Sequence, residues 1–160
     1  MLSPLIIDES THDACTQACA DLSRAAQARG VFLIDKNGLL ITQSGDAEHV
    51  DGTALASLAA GNMAATNGIA SLIGEAEFGS LFHQGAKESI HISVMGERMI
   101  LVVLFDDRSS LGLVRLRVQQ ARLEFENIVS LIAQSGSGGG SGGIESEITS
   151  EDIDNLLRDS

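Results

Sequence analysis

The chain has 160 residues, a length that suits one domain with an appendage, and 44% of them are apolar, enough for an ordinary core. Its 22 acidic and 10 basic residues give a net charge of −12, which argues against nucleic acid or an anionic membrane as a partner. The sequence has no membrane-length apolar run and its start lacks a signal-peptide pattern, so we expect a cytoplasmic protein.

Residues 10–29 have helical composition and end at a glycine, a common helix stop. Cys15 and Cys19 lie four residues apart on one face of this helix, where a disulfide would strain the backbone. No second ligand pair with finger-like spacing accompanies them, so zinc is not expected. We therefore predict two reduced cysteines that serve as small core or near-surface residues.

The next segment, VFLIDKNGLLITQSG, places two apolar runs on either side of Asn37-Gly38. An Asn-Gly pair between such runs is a strong hairpin signal, which predicts strands at 31–36 and 39–44.

A second helix is predicted over 53–74, started by Asp51 or Thr53 and ended by Gly74. We expect its apolar stripe to lie on the sheet: Leu55, Leu58, Asn62, Ala65, Ile69, Leu72 and Ile73. Another face has no long side chain: Ser57, Ala60, Ala64, Gly68 and Ser71. Such a face permits either close approach by a partner or tight packing inside the subunit, and the residues alone leave both readings open.

A short strand is predicted at 80–84, followed by a hairpin that turns at 95–98. The second strand of this hairpin, MILVVLF, is apolar throughout, which is typical of a central strand covered on both faces. A long amphipathic helix over 109–134 completes the order α-β-β-α-β-β-β-α. This order predicts an α+β sandwich: a five-stranded antiparallel sheet with helices on both faces.

The sequence predicts a domain over 1–134, a flexible Gly/Ser-rich linker over 135–148 and an acidic helix over 149–160. The Gly/Ser repeat is consistent with a natural or an engineered joint. Thr149 is a suitable cap, Ile148 and Ile153 have the spacing of a hydrophobic staple, and Leu156 and Leu157 extend an apolar edge. A helix this short is marginal alone, so we expect it to fold when it docks in a groove. The alternative is a disordered acidic tail.

The sequence carries no nucleotide-binding P-loop, no GxSxG and no HExxH motif. His12, His49, His83 and His91 are scattered over different predicted elements, which favours structural or surface roles. We therefore predict no catalytic, cofactor-binding or metal-binding residues, and the class most consistent with the sequence is an interaction module.

The chain resembles the Roadblock (dynein light-chain-7-like) family, in particular its MglB-like bacterial branch. The segments that carry the resemblance are VFLIDKNGLLI (31–41), TALASLAAGNMAATNGIASLIGEAEF (53–78), FHQGAKESIHI (82–92), ILVVLFDDRSSLGLVRLR (100–117) and EDIDNLL (151–157).

The resemblance implies a homodimer that joins two sheets edge to edge and lays two central helices side by side. It also implies that the dimer binds a Ras-like small GTPase of the MglA type and stimulates GTP hydrolysis without an arginine finger. The C-terminal helix would promote nucleotide exchange. Such a protein would act in cell polarity and gliding motility, in the cytoplasm or at the cell pole.

On this resemblance, residues of the second helix divide between two interfaces. The GTPase-binding set is Ser57, Ala60, Gly61, Ala64, Asn67, Gly68 and Ser71. The dimer set is Ala56, Ala59, Met63, Thr66 and Ala70. The C-terminal docking helix would use Ile148, Ile153, Leu156 and Leu157.

Two alternatives stay open. The chain could be a Roadblock scaffold that gathers GTPases without changing hydrolysis. It could also be a Roadblock domain fused to a grafted ligand peptide, because SEDIDNLL is similar to a peptide that binds a response regulator. A small-molecule sensor lacks support from any convergent set of polar residues.

Overall fold

The computed structural model describes residues 7–137, and the surroundings of side chains as far as Ile132. The elements follow the predicted order: α1 (Glu9–Ala25), β1 (Gly30–Asp35), β2 (Leu40–Gly45), α2 (Gly52–Leu72), β3 (Ser80–Gln84), β4 (Ser89–Met95), β5 (Met99–Phe105) and α3 (Leu111–Ser137). The predicted α+β architecture is confirmed.

The five strands form one antiparallel sheet in the order β2-β1-β5-β4-β3. Strand β5 lies at the centre and all seven of its residues are buried, as its continuous apolar sequence predicts. Both predicted hairpin turns are present, with Gly38 and Gly96 at positive φ angles of 93° and 64°. These are backbone conformations that glycine adopts without a steric penalty.

Two apolar clusters lie on opposite faces of the sheet because side chains alternate along each strand. The first cluster joins α1 and α3 to residues such as Leu101 and Val103. The second joins α2 to residues such as Phe32 and Val102. Cys15 and Cys19 are free and fully buried in the first cluster, as predicted, and burial raises the pKa values of their thiols to about 11 and about 12.

Side chains and turns fix the helix ends. Asp8 caps α1 by accepting from the Thr11 amide at 2.7 Å, and Asp51 caps α2 by accepting from the Ala54 amide at 3.1 Å. Gly74, at φ 81°, follows the C-cap of α2. Helix α3 continues to Ser137, three residues past its predicted end.

The rest of the predicted linker, together with Ile148, Ile153, Leu156 and Leu157 of the predicted docking helix, lies outside the described residues. Across residues 7–137, no helix combines the length and the apolar composition that crossing a bilayer requires.

Candidate interaction surface

Helix α2 turns a face of alanines and one methionine toward the sheet. Ala56, Ala59, Ala60 and Met63 are buried in the second cluster, under strand side chains that include Phe32. Bulky side chains on the strands fill the space beneath the helix, so small helical residues let the two backbones approach closely. This arrangement fixes which face of α2 is left to solvent.

The prediction that the bulky stripe of α2 lies on the sheet is wrong. Leu58, Ile69 and Leu72 are 72%, 56% and 86% exposed, and Ile73 is also exposed. Only Leu55 at the margin of the stripe packs against the second cluster. The helix is apolar on all sides, so hydrophobic periodicity could not distinguish its buried face from its exposed face.

The orientation of α2 on the sheet also corrects the predicted dimer residues. Ala56, Ala59, Met63 and Ala70 are buried within their own chain, and Thr66 is half-buried. Side chains covered by their own protomer are not available to a second one. Ala60, assigned to GTPase binding, is likewise only 9% exposed and belongs to the second cluster, so the same correction applies to it.

The other small residues lie on the solvent side of α2 and define what we call the small strip. Its members recur every three or four residues and all are exposed: Ser57, Gly61, Ala64, Gly68 and Ser71. A Cβ atom added at Gly61 or Gly68 would meet nothing within 4 Å. Packing inside the described chain therefore does not account for either glycine.

Asn67 lies beside the small strip, and its side-chain amide is not fully hydrogen-bonded. Asn67 is half-buried, and its side-chain oxygen Oδ1 is buried without a hydrogen-bond partner in the described structure. The backbone carbonyl of the same residue accepts from the Ser71 hydroxyl at 3.2 Å.

A second strip runs alongside the first and consists of exposed apolar residues. We call it the apolar strip; its members are Leu58, Ala65, Ile69 and Leu72. No charged residue occurs anywhere in α2. The two strips together form an uncharged, largely apolar surface on the α2 face, the kind of surface that marks a protein–protein contact.

Strand β3 is the last strand of the sheet, at the edge opposite β2. It pairs with β4 alone, through the register Ser80↔Ser93 to Gln84↔Ser89. On the α2 face, Leu81 and Ile90 of these strands are only partly buried, at the margin of the second cluster. An edge strand with unpaired backbone groups is a natural place for a second sheet to join.

Two of the four histidines singled out in the sequence have polar neighbours. His12 Nε2 lies 3.1 Å from the Ile41 carbonyl oxygen, which holds α1 against β2. His49 lies 3.7 Å from the Glu88 carboxylate, which also accepts from Arg29 at 2.7 Å. Within residues 7–137, no group of three or more His, Cys, Asp or Glu side chains could hold a metal ion.

Comparisons with known proteins agree with this architecture. Residues 16–105 match the Roadblock/LC7 domain family model. The solved structure of Myxococcus xanthus MglB is 47% identical, covers 80% of this chain and 96% of its own, and has a TM-score of 0.74. The gliding protein MglB from Thermus thermophilus is 28% identical, with 82% and 99% coverage and a TM-score of 0.75.

A further MglB structure, described as a tetrameric arrangement, is 28% identical over 82% of this chain and 99% of its own, with a TM-score of 0.75. Among curated proteins no match is found.

Proposed function

The chain belongs to the Roadblock/LC7 domain family, and we propose that it acts as a homodimeric regulator of a Ras-like small GTPase of the MglA type. The observation that carries this proposal is the α2 surface: 21 helical residues without one charge, with the small strip and the apolar strip both facing solvent. Its similarity to MglB from two bacteria supports this class of partner. The proposed setting is cell polarity and motility, at the cell pole.

The apolar strip is the proposed dimer contact on α2. Leu58, Ile69 and Leu72 expose more than half of their surface each, and fully burying such a side chain contributes about 1.5–3 kcal/mol. Two copies related by a two-fold axis would each contribute this strip once, so the gain is doubled. The free edge of β3 would let the two sheets join beside it.

The small strip is the proposed docking site for the GTPase. Glycine inside a helix costs up to about 1 kcal/mol relative to alanine, and neither Gly61 nor Gly68 has a packing reason within the described chain. Close approach of a partner's backbone supplies a reason. Small side chains also lose little rotamer entropy on binding, which favours a flush contact.

We further propose that stimulation of hydrolysis depends on the GTPase's own switch regions, which this surface would hold in a competent geometry. In support, α2 contains no arginine to act as a transition-state cation. The α3 arginines lie in the opposite layer, where Arg122 donates to the Val94 carbonyl at 2.9 Å and Arg117 to Gln120 at 2.9 Å.

The acidic C-terminal segment is proposed to promote nucleotide exchange. A Gly/Ser linker of about ten residues has a root-mean-square span of roughly 16–19 Å, so a tethered helix has an effective concentration near millimolar. Ile153 and Leu156 supply the apolar edge that would dock on the GTPase.

The first experiment replaces Ala64 or Gly68 with arginine, because the long charged side chain would block docking without disturbing the protein's own core. We expect each variant to keep its oligomeric state and to lose binding to the GTP-loaded GTPase in size-exclusion chromatography and turnover assays. Asn127→Arg is the matched control, since it adds the same charge at an exposed position on α3. Co-elution of the Ala64 and Gly68 variants with the GTPase would contradict the proposed docking site.

A second experiment addresses the C-terminal segment with Ile153→Ala/Leu156→Ala in the full chain. We expect GTP hydrolysis by the GTPase to remain stimulated while release of labelled GDP slows to the level without the regulator. Unchanged GDP release would exclude an exchange role for this edge. Binding without any change in turnover would instead favour the scaffold alternative.

A further inference from the structure

A second site lies on the opposite side of the sheet, away from the α2 surface. Strands β3 and β4 and helix α3 enclose an open cavity of about 300 Å³. Its lining includes two guanidinium groups, a histidine and a hydroxyl, contributed by Arg115, Arg122, His91 and Ser80. Gln119 and Val118 complete it. Ser80 begins β3, the strand proposed to join two sheets; the other lining residues lie outside the surfaces proposed for dimer and GTPase contacts.

The floor of this cavity contains an unsatisfied polar group. His91 is only 3% exposed, and its ring nitrogen Nδ1 is buried without a hydrogen-bond partner in the described structure. Ser93, two residues along β4 and therefore on the same face, is fully buried and its hydroxyl is equally unpartnered. Buried polar groups are nearly always hydrogen-bonded, so the His91 ring at the base of this cavity has hydrogen-bonding capacity left for a ligand or a water molecule.

The charges around His91 define the sign of that ligand. Burial lowers the pKa of His91, and the positive charges of Arg115 and Arg122 lower it further. At neutral pH the ring is therefore uncharged, with one ring nitrogen able to donate and the other able to accept. With two guanidinium groups and the Ser80 hydroxyl nearby, donors outnumber acceptors in the cavity.

One of the arginines is held in position by neighbours. Arg122 donates from Nη1 to the Val94 carbonyl at 2.9 Å, and the same atom lies 3.7 Å from the Glu126 carboxylate. This carboxylate belongs to the same helix and is 41% exposed, so solvent screens its competition for the guanidinium. These two contacts restrict the conformational freedom of the Arg122 side chain, so its remaining N–H groups have a defined orientation.

We propose that this cavity binds a small oxyanion, either a phosphate or a carboxylate, through Arg115, Arg122, His91 and Ser80. Charge-assisted hydrogen bonds from two guanidinium groups are the strongest contacts that such a group forms with protein side chains. The neutral His91 ring would donate one N–H to the anion. The anion would also offset the repulsion between the two arginines.

The oxyanion has two sources. One is free phosphate or a phosphorylated metabolite in solution. The other is the chain's own C-terminal segment, where residues 144–160 carry six acidic residues and begin seven positions after the end of α3. Both sources present the same chemistry to the cavity.

The test is an NMR titration of the full-length protein with inorganic phosphate at constant ionic strength. The imidazole signals of the chain's four histidines are followed, with His12, His49 and His83 as internal controls. We expect a saturable shift confined to His91 and a rise in its pKa, because a bound anion stabilises the imidazolium. Arg115→Gln or Arg122→Gln is expected to weaken phosphate binding about tenfold, whereas Arg117→Gln, on the same helix, leaves it unchanged.

A second variant separates the two sources: Glu151→Gln/Asp152→Asn/Asp154→Asn in the full chain. If the segment occupies the cavity, this variant lowers the pKa of His91 and tightens phosphate binding; if the anion comes from solution, neither changes. Either result supports the oxyanion site. Absence of a saturable His91 shift in both the parent chain and this variant, or equal binding by the Arg115 and Arg117 variants, would overturn it.

Discussion

Helices α2 and α3 pack on opposite faces of one sheet and expose very different surfaces. Helix α3 is amphipathic: Val118 and Phe125 face the core, and Arg115 and Glu124 face solvent. Helix α2 places one apolar face in the core and a second on the surface, without a single charge. The contrast shows that being apolar does not by itself make a helical face internal. In α2 the residues that go inside are alanines and one methionine, whereas Leu58, Ile69 and Leu72 stay outside.

The largest expected effect concerns the apolar strip. We predict that Ile69→Asp/Leu72→Asp weakens dimerisation by about 100-fold or more, because two apolar contacts are lost and two charges are buried in each copy. Analytical ultracentrifugation measures the change. Leu123→Asp on α3 is the control, since that residue is 68% exposed but lies outside α2. If the double variant dimerises as strongly as the parent chain, the apolar strip is not the dimer contact.

Which face of α2 packs on the sheet can be tested by making the same alanine-to-leucine substitution on its buried side and on its exposed side. Ala59→Leu, at a position 3% exposed under the sheet, should lower the free energy of unfolding by about 1–3 kcal/mol through overpacking. Ala65→Leu, on the exposed apolar strip, should change it by less than about 0.5 kcal/mol. Urea unfolding at matched protein concentration compares them. Equal destabilisation by both substitutions would mean that the helix is turned differently.

At the glycines of the small strip we expect a smaller change in the free energy of unfolding, and in this case an increase. Gly61→Ala and Gly68→Ala should each stabilise the protein by up to about 1 kcal/mol, because alanine is the better helix former and the added methyl meets open space. The same changes should weaken GTPase binding. Gly38→Ala is the opposite control, since its φ of 93° strains any side chain. Loss of stability at Gly61 and Gly68 would indicate a packing role instead.

The smallest effect concerns the α3 side and depends on pH. Since the pKa of His91 is lowered in the folded state, the unfolded chain takes up its proton first as pH falls below about 6.5. The stability associated with the neutral ring is full above that pH and is lost as pH falls through the folded-state pKa. His91→Gln should flatten this part of the curve in thermal melts between about pH 7 and pH 5. Curves for parent and variant that stay parallel would contradict it.

Sequence reasoning was most successful where the signal is local. The strand at 80–84, the turns at Gly38 and Gly96 and the Asp51 cap each depend on a few neighbouring residues, and all were predicted. Element order and the central position of MILVVLF followed from apolar runs alone. The free state of Cys15 and Cys19 also followed from their spacing.

Which face of α2 packs on the sheet could not be predicted from such local signals. Its burial depends on the volume of strand residues such as Phe32, which are distant in sequence and leave room only for alanine and Met63. The cavity around His91 had no sequence signal either. His91, Arg115 and Arg122 lie on elements separated by β5, and only the register of β4 under α3 brings them together. A histidine within an alternating strand was the one available hint, and it does not identify its neighbours.

The absence of charge on α2 also sets how fast a partner can arrive. Oppositely charged surfaces attract each other before contact and raise association rates toward roughly 10⁸–10⁹ M⁻¹s⁻¹, whereas neutral ones settle near 10⁵–10⁶ M⁻¹s⁻¹. A molecule that docks on this helix is not attracted by charges on the helix itself, so we expect its association rate to depend little on ionic strength. Selection among similar molecules at this surface therefore depends on residence time, and only a closely fitting shape stays bound.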